Sequence, residues 1–109
     1  MANLRIISSS EGGWGSWTAY QSCGGDAYLK SFKLRVETDQ RVGDDTAANN
    51  IMFYCSNGKT LTGHGLTWGT WGRGSSTCHR GICGIKTKVE EAQGWGDDTA
   101  LNDVRFTCC

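Results

Sequence analysis

Two acidic pairs, Asp44-Asp45 and Asp97-Asp98, come closest in type and spacing to a set of residues that does chemistry. Carboxylates held about 5–10 Å apart hydrolyse or transfer glycosides, one protonating the leaving oxygen while the other attacks or activates water. Neighbouring residues on an extended chain point to opposite faces, so a working pair would need one carboxylate from each acidic segment. A Ca²⁺ site asks for about six to eight oxygens, and neither segment supplies that many by itself. The simpler reading is that these side chains bond backbone N–H groups and hold a tight loop. Other constellations fail. His64 lies between glycines and His79 follows Cys78, with no G-x-S-x-G nucleophile turn in the chain. The glycines punctuate turns and do not lead a strand into a helix, so no phosphate cradle is expected. The residues read as those of a non-enzyme with no cofactor and no metal site.

Six cysteines in 109 residues, with sixteen glycines and no proline, are the composition of a small extracellular scaffold. Zinc fits poorly. Cys78 and Cys83 enclose four residues and Cys108-Cys109 are adjacent, which does not make the two C-x₂₋₄-C knuckles of a structural site. Disulfides imply an oxidising compartment, yet Met1 to Ile7 has no basic segment followed by an apolar run and is not a secretory leader. A leader removed ahead of this segment, or a longer parent chain, is therefore expected. Eleven basic and eleven acidic side chains give a formal charge of zero without a block of either sign. Nucleic acid, which needs a clustered basic footprint, is not an expected partner. No run approaches the roughly eighteen apolar residues of a membrane-spanning helix.

The elements that position these residues emerge from an internal repeat. Gly43-Asp44-Asp45-Thr46-Ala47-Ala48-Asn49-Asn50 recurs as Gly96-Asp97-Asp98-Thr99-Ala100-Leu101-Asn102-Asp103, 53 residues later. Val36-Glu37 matches Val89-Glu90, Cys55 matches Cys108, Cys23 matches Cys78, and Trp14-Gly15-Ser16-Trp17 matches Trp68-Gly69-Thr70-Trp71. Residues 1–109 thus read as one domain of two repeats, the first over about 1–56 and the second over about 57–109. Within each repeat the apolar residues alternate. Phe32, Leu34 and Val36 oppose Lys33, Arg35 and Glu37, and Ile85, Thr87 and Val89 oppose Lys86, Lys88 and Glu90. Ile51, Phe53 and Cys55, then Val104, Phe106 and Cys108, define a second strand per repeat. A period of two means one buried face. The W-G-x-W segments and Leu4 to Ser8 are candidates for further strands, with Gly12-Gly13, Gly24-Gly25, Asn57-Gly58 and Gly63 to Gly65 as turns. No helix is expected.

The repeat also predicts the cross-links, which spacing alone leaves among fifteen connectivities. If each repeat keeps its own bridge, Cys23 pairs with Cys55 and Cys78 with Cys108, leaving Cys83 for Cys109.

At this point the sequence resembles the vitelline membrane outer layer protein I family. The resemblance runs from about Gly13 to Cys109 and is carried by Gly13 to Trp17, Leu34 to Glu37, Asp45 to Asn50, Gly63 to Gly69, Gly84 to Lys88, Gly96 to Asp103, Arg105 and Cys108-Cys109 in that order. It implies a β-prism of three four-stranded sheets, whereas this sequence has two repeats. The fold expected is therefore all-β and β-prism-like, two Greek-key four-stranded sheets whose prism is completed by oligomerisation. Three chains would contribute six sheets, enough for two prisms; an open edge paired by strand exchange and a larger parent chain are the other ways to cover the gap.

The resemblance implies a secreted protein of egg-envelope or mucosal type that binds glycans or other matrix components and assembles as a homo-oligomer. A weak glycosyl transferase or hydrolase on chitin-type oligosaccharides is the alternative activity, and the binding module of a secreted toxin is a third reading. Trp14, Trp17, Trp68 and Trp71 recur with the repeat and read as core or sheet-interface residues, whereas Trp95 aligns with Val42 and is free to be an exposed contact. An indole covers the apolar face of a sugar while Asp and Asn bond its hydroxyls, which makes Trp95, Asp44, Asp45, Asp97, Asp98, Asn49 and Asn102 the candidate ligand residues.

Overall fold

A computed structural model describes residues 6–9, 16–36, 48–65, 67, 69–90 and 100–109. Among them there is no helix. Six strands follow in chain order: β1 (Leu29–Val36), β2 (Ala48–Cys55), β3 (Thr60–Thr62), β4 (Thr70–Trp71), β5 (Ile82–Glu90) and β6 (Ala100–Cys108). The two alternating segments of each repeat are thus strands, paired antiparallel as β1–β2 and β5–β6.

The two hairpins share one register. Leu29 opposite Cys55, Lys33 opposite Met52 and Leu34 opposite Ile51 become, 53 residues on, Ile82 opposite Cys108, Lys86 opposite Arg105 and Thr87 opposite Val104. Even the irregularities recur. The β1–β2 ladder slips between Leu29 and Ser31 and again between Arg35 and Val36, and β5–β6 slips between Ile82 and Gly84 and between Lys88 and Val89. An extra residue at these points bends and twists a strand, so both hairpins curl at the same two places.

The first sheet has the order β3-β2-β1-β4. Three consecutive strands followed by a fourth that returns to lie beside the first is a Greek key. The turn between β2 and β3 is closed locally: Asn57 Oδ1 accepts from the Lys59 amide (3.1 Å), and Gly58, at a φ of 91°, supplies the left-handed residue. β4 comes from the second W-G-x-W segment, so the first sheet is completed by residues of the second repeat. After β4 the chain keeps to the edge of β1, with Gly72, Ser75 and Cys78 amides donating to the Leu34, Phe32 and Lys30 carbonyls at 2.7–2.8 Å.

The second sheet differs from the four strands expected of it: among the described residues it is the two-stranded ladder β5–β6. The counterparts of β3 and β4 would have to come from outside this hairpin, as they do in the first sheet. The sequence expectation of a strand at Leu4 to Ser8 also gives way, because Ile6 to Ser9 carry no strand; Leu4 and Arg5, like Gly12-Gly13, lie outside the described residues.

The sheets face one another, β1 toward β5 and β2 toward β6. Three phenylalanines join them: Phe106 meets Phe32 edge to face at 4.7 Å between ring centroids and Phe53 at 5.6 Å. Aromatic pairs in this geometry contribute about 0.5–1.5 kcal/mol beyond their buried area. Among the described residues the buried apolar set is small and mostly sulfur, namely Cys23, Cys55, Cys78 and Val104. Three disulfides compensate. Cys23–Cys55, Cys78–Cys108 and Cys83–Cys109 are the pairs the repeat predicts, with Cα–Cα distances of 5.7, 5.1 and 5.0 Å. They span 32, 30 and 26 residues. Loops of this length contribute roughly 3–4 kcal/mol each on the chain-entropy account.

Candidate functional site

Of the candidate ligand residues, Asn49 and Asn102 are described, while Asp44, Asp45, Asp97, Asp98 and Trp95 lie outside the described residues. Asn49 stands near the start of β2 and Asn102 near the start of β6, at equivalent places in the two hairpins. Their following neighbours behave alike. Asn50 Oδ1 accepts from the Ile51 amide at 2.8 Å and Asp103 Oδ1 from the Val104 amide at 2.7 Å. These polar side chains therefore act on their own backbone at the strand entry, the local role expected of short oxygen-bearing residues. Asn102 differs in one respect: its Oδ1 is buried and finds no donor among the described residues.

Asn49 and Asn50 also line the rim of an apolar hollow of about 360 Å³ between the sheets, whose floor is Phe53, Phe106 and Val104 and whose sides include Leu34, Ile51 and Ile85. This hollow is open on one side. Around Val104 and Phe106, three further inward residues of the second sheet are uncovered, with Ile85 66 % exposed, Val89 49 % and Leu101 40 %.

The outer face of the first sheet carries an array that sequence reading missed. β4 places Trp71 opposite Arg35. The Lys33 ammonium lies 5.8 Å from the Trp71 ring centre and the Arg35 guanidinium 5.9 Å. Lys33 also lies 6.0 Å from the Tyr54 ring. Arg35 Nε donates to the Gly69 carbonyl at 3.2 Å, which fixes the guanidinium beside the indole. Cations over aromatic faces in partly exposed settings contribute about 0.5–1 kcal/mol each. The outward alternation of Lys33, Arg35 and Tyr54 was visible in the sequence. What could not be read was that Trp71 joins this face, because a two-residue strand has no periodicity.

The expectation that the repeating tryptophans are core or interface residues needs correcting for Trp17. It is 82 % exposed and lies outside any strand. With Ile6, Ile7 and Tyr20 it borders an open hollow of about 830 Å³. Trp71 is half-buried on the outer face, and Trp14 and Trp68 lie outside the described residues. The physical reason for the difference is that Trp71 has β1 to lie against and Trp17 has no corresponding strand edge.

No group of three or more His, Cys, Asp or Glu able to hold a metal occurs among the described residues.

Curled antiparallel sheets facing each other across a phenylalanine cluster, one a Greek key, and disulfides closing each hairpin define an all-β, β-prism-like scaffold protein. The chain belongs to the vitelline membrane outer layer protein I family, whose sequence model matches residues 2–109. It is 49 % identical over 109 residues to the vitelline membrane outer layer protein 1 homolog of Homo sapiens, covering all of this chain and 54 % of that protein. The Mus musculus protein of the same name is 46 % identical over 107 residues, covering 98 % of this chain and 53 % of its own length. The chain spans about half the length of these curated relatives.

Proposed function

We propose that the chain acts outside the cell as a non-enzymatic coat protein, working by binding and assembly, with glycans of an egg-envelope or mucosal layer as its ligand class. The observation that carries this reading is the uncovered inner face of the second sheet. Soluble chains rarely leave contiguous apolar surface of this kind without a partner for it. The names of the family and of its human and mouse relatives point to an envelope layer, which supports the extracellular setting. Three disulfides suit the same compartment. The Trp71, Lys33, Arg35 and Tyr54 array sets hydrogen-bond donors against aromatic rings on the outer sheet face, groups of the kind that contact a sugar.

The test is retention. The purified chain is mixed with insoluble chitin and with isolated egg-envelope material, and the bound fraction is read after sedimentation. Binding to at least one is expected, weakened at least about tenfold, equivalent to 1.4 kcal/mol, by Trp71→Ala or Trp95→Ala. A chain left wholly in the supernatant would overturn the coat reading, and turnover of labelled chitin oligosaccharides, abolished by Asp45→Asn or Asp98→Asn, would overturn the non-enzymatic one.

A further inference from the structure

We infer that the β5–β6 hairpin is a socket for Ile6–Ser8 and Ser16–Trp17 of a second copy of this chain, which supply the two strands that sheet lacks among the described residues. The inference starts from how the first sheet is completed. Its third and fourth strands are Thr60–Thr62 on the β2 edge and Thr70–Trp71 on the β1 edge, both lying between the second strand of one hairpin and the first strand of the next. The residues that stand in the same relation ahead of β1 are Ile6–Ser8 and Ser16–Trp17, each 54 positions before its counterpart.

These residues are in the state of strands without a sheet. Ile6 is 67 % exposed, Ile7 79 % and Trp17 82 %, and none pairs with a strand. The first sheet cannot take them, since its two edges already carry β3 and β4. β5 and β6 each have an edge that pairs with nothing among the described residues. The demand and the supply match position by position. The first sheet sets Phe53 opposite Leu61 and Val36 opposite Thr70. Translated to the second, Phe106 faces Ile7 and Val89 faces Ser16. Lys88 then faces Trp17, and the indole meets Lys86 and Lys88 as Trp71 meets Lys33 and Arg35. At this end of β6 the buried Asn102 Oδ1 finds no donor among the described residues. In the first sheet the corresponding end of β2 is overlaid by Gly63 to Gly65, with the Gly63 amide donating to the Ile51 carbonyl at 2.9 Å.

The donor is a second copy because the segment is tied to its own first sheet. Gln21 Nε2 donates to the Thr62 carbonyl on β3, and Lys59 Nζ to the Ser22 carbonyl. β3 is the edge of the first sheet opposite to β4, from which the chain continues into the second sheet. Each copy then offers one socket and one pair of strands, a head-to-tail arrangement that closes into rings or extends into fibres. The inference rests on the assembly part of the function proposed above and names its contact.

The experiment uses the full chain. Sedimentation velocity over about a hundredfold range of concentration should show mass rising above that of one chain as mass action requires. The amide of Val89, which points to the open edge as Val36 points to β4, should be protected from exchange in the associated form. Ile7→Pro with Thr18→Pro removes two strand donors at exposed coil positions, Thr18 standing where the Gly72 amide donates to the Leu34 carbonyl in the first sheet, leaves hairpins and disulfides intact, and should weaken association at least about tenfold. A synthetic peptide of residues 4–22 should dissociate the wild-type assembly. A monomer at every concentration overturns the inference. So does association that survives both prolines, and so does a monomer whose Ser16–Thr18 amides are protected, because the segment would then close on its own chain. A wild-type chain that stays monomeric yet is retained on chitin or envelope material would leave the coat reading standing while the contact fell.

Discussion

At Gly81 the backbone takes a φ of 100°, and a Cβ there would stand 3.0 Å from the Tyr28 ring. Tyr28 is itself held, its hydroxyl donating to the His79 carbonyl at 2.7 Å. The same glycine accepts from the Cys109 amide at 2.9 Å, so one residue sits where two disulfides converge. Gly81→Ala is therefore expected to cost about 1–3 kcal/mol through left-handed strain and collision. Gly74→Ala, at a position with open space and an ordinary φ, should change stability by less than about 0.5 kcal/mol. Denaturant midpoints of the two variants check the contrast. The disulfides differ at this scale too. Their loops are similar in length, but Cys55 is 1 % exposed whereas Cys83 and Cys109 are both exposed. Replacing Cys23 and Cys55 by Ser buries two hydroxyls as well as opening a loop. It should cost about 1–3 kcal/mol more than replacing Cys83 and Cys109, measured by the same midpoints.

Elements here differ sharply in how firmly they are held. β1 and β2 pair over their length, while β4 is two residues fixed by the ladder to Arg35 and Val36 and by the cations over Trp71. Its amides should exchange first among the strands, and Lys33→Ala with Arg35→Ala should speed that exchange without touching β5–β6. Phe106→Ala breaks the only aromatic bridge between sheets seen among the described residues. As Phe106 is half-buried, a cost of about 2–3 kcal/mol is expected, below that of a fully buried ring, read from thermal unfolding followed in the near ultraviolet. Such contrasts explain what the sequence made legible. β1, β2, β5 and β6 are long enough for alternation to show, and an offset of 53 carried the disulfide pairing from one hairpin to the other. β3 and β4 have three and two residues, too few for a period, and which sheet β4 joins is decided by a free edge on β1 rather than by any pattern in Thr70-Trp71. The candidate site was legible only in part for the same reason. Asn49 and Asn102 follow from the repeat, whereas the Trp71 array depends on a neighbour that the chain supplies from 36 positions away along the sequence, as Arg35 opposite Trp71 shows.

For the molecule as a whole, the balance of forces is that of a thin interior reinforced by covalent links. The buried apolar set is three cysteines and one valine among the described residues. The three loop closures together rival the whole net stability of a domain, about 5–15 kcal/mol. Full reduction at neutral pH should therefore unfold the chain at room temperature, with loss of near-ultraviolet dichroism as the readout; retention of that signal would mean that packing alone suffices. The loan of β4 by one repeat to the sheet of another has a consequence for biogenesis. On the extracellular reading proposed above, Cys23 and Cys55 would enter an oxidising lumen ahead of Cys78, Cys83, Cys108 and Cys109 and could join as soon as the first hairpin forms. The outer edge of β1 stays bare until Trp71 has followed, so the nascent first sheet spends part of its synthesis as an open template. Cys83 must wait for Cys109, 26 residues further on, with Cys108 arriving just before its proper partner. An oxidase acting on the emerging chain thus meets its one ambiguous choice last, after the first hairpin is already locked.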